Sequence, residues 1–108
     1  MIKLPPQNIE AEESLLGALM IDPDAIIKVT DILSPGDFYA PAHVLIYEAA
    51  VKLFERHEPI DIVSMTNRLK SDGKLEHIGG AGYLTHLVER VPTASHMAHY
   101  AAVVKEKK

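Results

Sequence analysis

Apolar residues recur at intervals of three and four along most of the chain, and this spacing constrains the fold more than any other feature. Between residues 43 and 55, Val44, Tyr47, Val51 and Phe54 follow that interval, which is typical of an amphipathic helix. No segment alternates between apolar and polar residues for long enough to indicate a strand. The pattern therefore predicts an all-α fold.

Capping residues, prolines and glycines mark the helix boundaries, and they divide the chain into about six helices with short connections. The predicted N-caps are Asn8, Asp22 followed by Pro23, Ser34 followed by Pro35, and Asp61. The second helix is expected to run through Ile32, and Asp37 completes a capping box with Ser34 over one short turn. Gly73 is the expected left-handed end of the fourth helix. A compact, irregular helical bundle follows.

The same spacing identifies two further helices and a set of core residues. Tyr83, Leu84, Leu87 and Val88 mark the fifth helix, which Pro92 ends, and a last helix begins near Thr93 or Ser95 and includes Met97, Tyr100, Ala101 and Val104. The aromatic and aliphatic residues that we assign to the core are Tyr47, Phe54, Leu84 and Leu87. Tyr83 and Leu84 are adjacent and lie about 100° apart around a helix, so one of them is expected to face a partner.

Length and composition limit the function classes. A chain of 108 residues with 47% hydrophobic content fits one domain with a real core, spanning residues 1–108. Cysteine is absent, which excludes disulfides and thiolate metal sites. The net charge is −4 without a basic patch, so nucleic acid is not the expected direct ligand. The longest apolar run, residues 15–21, is far too short to span a membrane.

The stretch HIGGAGYLTHL, residues 77–87, tests whether the chain binds a phosphate group. Glycines before a helix can bind phosphate, but Gly80, Gly82 and Thr85 give G-x-G-x-x-T with no preceding strand. A P-loop is excluded because Leu75 follows the only Gly-Lys pair. The interpretation that fits better is a tight turn that starts a helix.

Three other groups of polar residues could indicate catalysis, and each has a simpler explanation. Glu10, Glu12 and Glu13 are better explained as first-turn acids that favour the helix dipole, with an acidic partner-binding surface as the alternative. His96 and His99 have a spacing that could share a metal, but no third ligand accompanies them. No G-x-S-x-G motif is present to hold a nucleophilic serine. The residues alone favour an interaction module over an enzyme.

The order of several short motifs carries a family resemblance over nearly the whole chain. LPPQNIEAEESLLGALMIDP, ILSPGDFYAPAHVLIYEAAVKLFERHEPIDIVSM, KLEHIGGAGYL and VPTASHMAHYAAVVKEK occur in this sequence, in this order. Together they resemble the N-terminal domain of the bacterial replicative DNA helicase DnaB. Ser95-His96 departs from the Ala-Asn pair that is usual there, which affects only the expected cap of the last helix.

This resemblance implies an all-helical head at the front of a ring-shaped homohexamer that unwinds DNA in the bacterial cytoplasm. In such proteins a helical hairpin and a RecA-like motor, which binds ATP and Mg, follow the head; neither is expected within these 108 residues, so the chain itself is expected to be no enzyme and to need no cofactor or metal. Heads form a collar in pairs and dock primase, and a helicase loader is a further expected partner. DNA would be bound through the parent protein, and no membrane is involved.

Two residues are candidates for the primase-facing surface by the same resemblance: Glu10 in the I-E-A-E segment, and Tyr83 in the G-G-x-x-Y-L segment. Two alternatives stay open at this point. One is a stand-alone adaptor or helicase regulator with the same head, and the other is a weak binder of single-stranded nucleic acid.

Overall fold

A computed structural model describes residues 9–22, 24–90 and 101–105 of the chain. Its α-helices are α1 (Ile9–Ile21), α2 (Ala25–Thr30), α3 (Pro41–Glu55), α4 (Ile62–Ser71) and α5 (Ala81–Arg90), with 3₁₀ turns at Pro35–Asp37 and Glu76–Ile78. Residues 101–105 are also helical, and these ranges contain no strand. The predicted all-α bundle is confirmed. No helix in these ranges combines the length and apolar character needed to cross a membrane.

The core lies where α1 packs against α5 and α3, and α3 packs in turn against α4. Tyr47 is fully buried at its centre, and its hydroxyl donates a hydrogen bond of 2.9 Å to the carbonyl of Leu33. Leu84 and Leu87 are also fully buried, as the sequence predicted, and Ala101 and Val104 of the last helical segment close the core. These apolar side chains supply the main driving force for folding.

Two of the predicted caps are confirmed by hydrogen bonds. The side chain of Asp61 accepts from the backbone N–H of Ser64 at 2.8 Å, at the start of α4. Asp37 Oδ2 accepts from the N–H of Ser34 at 2.9 Å and also contacts Nζ of Lys105 at 3.1 Å. The buried Asp37 therefore ties the last helical segment to the 3₁₀ turn before α3.

The second helix is shorter than predicted: it ends at Thr30, whereas the sequence predicted that it includes Ile32. Ser34 is extended, with φ −109° and ψ 163°, because the helical region is disfavoured for a residue before proline. The cap also differs: Asp24 directly precedes α2, and Asp22 accepts from the N–H of Asp24 at 3.0 Å in a local turn.

The buried face of α3 also differs from the predicted one. Phe54 is 37% exposed, which corrects its assignment to the core, and Val44 and Val51 are only half-buried. The helix buries instead a face made of His43, Ile46, Tyr47, Ala49, Ala50 and Leu53. Helix α3 contacts α1, α2 and α4, and these three neighbours together bury a wider stripe of α3 than the spacing of its apolar residues predicted.

The glycine stretch forms a tight turn into α5, as expected. Gly79 and Gly80 have φ angles of 102° and 79°, which L side chains rarely adopt. A Cβ atom at Gly79 would lie 3.4 Å from Cβ of Tyr83, so the turn and this tyrosine are packed together. The predicted cap Asn8 and the predictions for residues 91–100, including His96 and His99, lie outside the described ranges.

Replacing Gly79 tests this turn against a matched glycine. Gly79→Ala should lower the free energy of unfolding by about 1–2 kcal/mol, because the left-handed φ is strained for alanine. Gly82 lies within α5 with open space around its Cα, so Gly82→Ala should be neutral or stabilising. Urea unfolding of both variants measures the difference; equal effects would contradict the proposed role of the turn.

Candidate interaction site

Glu12 is a buried carboxylate that reaches from α1 to the start of α3. It is 2% exposed. Its Oε2 accepts from the N–H of Tyr39 at 2.8 Å, and its Oε1 accepts from the N–H of Ala40 at 3.4 Å. Ala40 is the N-cap of α3 and has no side chain that could cap it. Glu12 therefore satisfies N–H groups at the positive end of α3, from a distant part of the chain.

His43 lies beside Glu12 and is 1% exposed. Its Nδ1 is 2.7 Å from Glu12 Oε1, and its Nε2 is 2.5 Å from the hydroxyl oxygen of Tyr83. A carboxylate only accepts hydrogen bonds, so Nδ1 carries a proton and the imidazole is fixed in one orientation. Glu12, His43 and Tyr83 thus form one hydrogen-bonded chain across α1, α3 and α5, called the buried network below.

Tyr83 is the outermost member of the buried network. Its ring is half-buried and stacks on His43 (centroids 5.8 Å apart, planes at 13°) and on His86 (5.8 Å, 25°). Burial, then the negative charges of Glu13 and Glu12 and a hydrogen bond to Glu13, raise the pKa of Tyr83 to about 12, with Arg90 opposing them. The hydroxyl therefore stays protonated at neutral pH and is no ready nucleophile.

The surface between α1 and α5 continues this network to solvent. Arg90 contacts Glu10 through Nη2 at 3.3 Å and Glu13 through Nε at 3.2 Å, and His86 Nε2 is 3.8 Å from Glu13 Oε2. The Glu10 side chain is 84% exposed. We call the surface formed by Glu10, Tyr83, His86 and Arg90 the α1/α5 face.

Both residues singled out from the sequence, Glu10 and Tyr83, lie on the α1/α5 face. They are linked through Arg90 and Glu13. Leu84 is fully buried and Tyr83 half-buried, as expected for neighbours about 100° apart. The first-turn position of Glu10 and Glu12 is confirmed, but Glu12 is in the core and cannot contribute to an acidic surface.

Sequence reasoning missed His43 and the buried role of Glu12, although a signal was present. Glu12 precedes Leu15, Leu16 and Leu19 by three, four and seven positions, so it shares their buried face. His43 stands in the same relation to Ile46, Tyr47 and Ala50. A polar residue at core spacing on each of two helices is the pattern expected of a buried pair.

The chemistry of this arrangement is positional. The carboxylate of Glu12, the imidazole of His43 and the hydroxyl of Tyr83 are each bonded to a backbone or side-chain partner. The described ranges contain no cluster of three or more residues able to hold a metal. Fixed hydrogen bonds of this kind orient a half-buried aromatic ring. The buried network therefore places Tyr83 in a defined position between α1 and α5.

A protein-family model matches nearly the whole chain. The family model described as "DnaB-like helicase N terminal domain" matches residues 4–106. The chain belongs to this family of DnaB-like helicase N-terminal domains.

Two curated relatives show how the chain relates to complete helicases. It is 45% identical over 105 residues to "Replicative DNA helicase DnaB" of Geobacillus stearothermophilus and to "Replicative DNA helicase DnaC" of Bacillus subtilis. Each alignment covers 97% of this chain but 23% of the relative. The chain thus spans about a quarter of the length of these helicases.

A solved structure has the same fold. The crystal structure of the N-terminal domain of DnaB helicase from Mycobacterium tuberculosis matches with a TM-score of 0.93 and 46% sequence identity. The match covers 96% of this chain and 72% of that one. An isolated N-terminal domain of this family therefore forms a folded unit.

Substituting Glu12 tests the energetic weight of the buried network. Glu12→Gln should lower the free energy of unfolding by about 2–3 kcal/mol, because an amide loses the charge and one of the two acceptor oxygens. Glu10→Gln is the matched control two residues away: its carboxylate is exposed, so its loss should cost less than about 0.5 kcal/mol. Urea unfolding compares them, and a similar cost for both would show that the burial of Glu12 is unimportant.

The raised pKa of Tyr83 predicts a stability change at alkaline pH. Because the folded pKa of about 12 exceeds the ordinary value of 10, this contribution to stability is complete below pH 10 and is lost as the pH rises towards 12. Tyr83→Phe lacks the ionisable hydroxyl. The difference in the free energy of unfolding between the unmodified chain and Tyr83→Phe should therefore narrow between pH 10 and pH 12. Unfolding measurements across it, with tyrosinate absorbance as the readout of ionisation, test this; a constant difference would contradict it.

Proposed function

We propose that this domain is the part of a hexameric replicative helicase through which the subunits associate in a collar and through which the helicase docks primase. The α1/α5 face is the proposed docking surface, with Glu10 and Tyr83 as its main contacts. The observation that carries the proposal is the presence on one surface of an exposed carboxylate and a half-buried, fixed tyrosine. Aromatic residues with fixed orientation and charged neighbours are typical of interaction hot spots.

The charge of the face indicates the chemistry of its partner. Glu10 and Glu13 are both held by Arg90 when the face is free, and only Glu10 is largely exposed. A partner with a basic side chain can pair with Glu10 while an apolar group covers the exposed edge of Tyr83. The ion pair between Glu10 and Arg90 is exposed, so replacing it by an ion pair with the partner costs little free energy.

The remaining activities of the helicase belong, in this proposal, to other parts of the protein. ATP hydrolysis, with ATP and Mg as cofactors, is assigned to a C-terminal RecA-like motor reached through a helical hairpin. The length of the relatives supports this division, since the chain spans 23% of each, and so does the absence of a P-loop motif from the sequence. Contacts with DNA and with a helicase loader are likewise proposed for the assembled ring.

Charge reversal at Glu10 tests the docking surface without disturbing the core. Glu10→Arg should weaken binding of a primase C-terminal domain by about fivefold to tenfold, because it repels a basic partner and leaves Arg90 without this carboxylate. Isothermal titration calorimetry measures the affinity, and circular dichroism confirms that the helices are retained.

Glu48→Arg serves as the control for the change in net charge. Glu48 is exposed on α3 and is not part of the α1/α5 face, so its reversal should leave the affinity within about twofold. Equal losses for the two variants would indicate a general charge effect, and binding by Glu10→Arg at the level of the unmodified chain would exclude this surface.

A further inference from the structure

The buried pair of Glu12 and His43 has a position that stability alone does not explain. Glu12 is bonded to His43, and His43 is bonded to the hydroxyl of Tyr83, whose ring reaches the α1/α5 face. Tyr47 shows the alternative within the same chain: its hydroxyl is also bonded, but to a backbone carbonyl, with the whole ring in the core. Among the tyrosines that the structure describes, Tyr83 is the one held by a pair of ionisable side chains from two other helices.

From these contacts we infer that His43, oriented by Glu12, is a positioning residue that holds the ring of Tyr83 in a single orientation on the α1/α5 face. The inference rests on the proposed docking function and adds the residues that prepare the site. A tyrosine that is free to change rotamer must lose that freedom when a partner binds, at a cost in affinity. His43 removes this cost in advance.

Several contacts favour one position of the Tyr83 ring. The hydroxyl is bonded to His43 Nε2 and to Glu13. The ring lies nearly parallel to the imidazole of His43, with His86 5.8 Å away, and Cβ lies beside Gly79. The imidazole cannot turn away, because its other nitrogen is bonded to Glu12 at 2.7 Å. Glu12 is itself fixed by the N–H groups of Tyr39 and Ala40. The orientation of the surface residue is therefore set by backbone groups on the far side of the core.

Two variants remove the anchor from opposite ends. Tyr83→Phe keeps the ring and loses the hydroxyl, while His43→Asn keeps a donor for Glu12 but is too short to reach Tyr83. Tyr47→Phe is the matched control, since it also loses one buried hydroxyl hydrogen bond, away from the α1/α5 face. The first readout needs no partner: three-bond NMR couplings report whether residue 83 occupies one χ1 rotamer or several.

We expect one rotamer at position 83 in the unmodified chain and in Tyr47→Phe, and averaging in both anchor variants. A single rotamer in Tyr83→Phe and His43→Asn would overturn the inference, whatever the binding results. Should His43→Asn fail to fold, Tyr83→Phe is compared with Glu13→Ala, which removes the hydrogen bond of the hydroxyl to Glu13 but keeps its bond to His43. Averaging in Tyr83→Phe together with a single rotamer in Glu13→Ala supports the inference, and averaging in both overturns it.

The second readout is affinity for the primase C-terminal domain of Geobacillus stearothermophilus, the organism of one 45% identical relative. Each anchor variant should bind about twofold to tenfold more weakly, as expected for one side chain that must be immobilised. The double variant should bind no more weakly than the weaker single variant, because both changes remove the same anchor. Tyr47→Phe should bind as the unmodified chain does.

The outcomes separate the two proposals. Additive losses, or averaging of the rotamer with no loss of affinity, would overturn the role of His43 in docking while the docking function stands. Failure of the unmodified chain to bind would refute the proposed function itself, and the rotamer measurement would still show whether His43 fixes Tyr83.

Discussion

The contact between Glu12 and His43 is the interaction on which the rest of this domain depends. Both side chains are almost completely buried, at 2% and 1% exposure, so neither can exchange its partner for water. A buried polar group without a partner costs about 1–3 kcal/mol, and an unpaired buried charge costs more. Packings of α1 and α3 that would separate this buried pair are thus disfavoured, and α5 joins the pair through Tyr83.

Local rules predicted the elements of the fold well. The cap at Asp61, the capping box at Asp37, the left-handed Gly73 and the turn into α5 each depend on residues within a few positions of one another. The errors lie where tertiary contacts decide. Phe54 has the spacing of a core residue but is 37% exposed, because neighbours on three sides, not spacing alone, select the buried face of α3.

The candidate site was predicted only at its surface. Glu10 and Tyr83 were proposed because the resemblance to a helicase domain pointed to them, whereas Glu12 was explained as a first-turn acid and His43 was given no role. Nothing in the local segment of Glu12 or of His43 required a distant partner. The bond between them joins positions 31 residues apart, and no local pattern contains that information.

The long sequence separations in the network also have a consequence for the order of folding. Glu12 and His43 are 31 residues apart, His43 and Tyr83 are 40 apart, and Arg90 and Glu10 are 80 apart. Contacts between distant segments form only after the intervening chain has closed into loops, at an entropic cost that grows with their length. Helices α1, α3 and α5 must therefore all be in place before the tyrosine is held, so a fixed Tyr83 ring marks a completely folded domain.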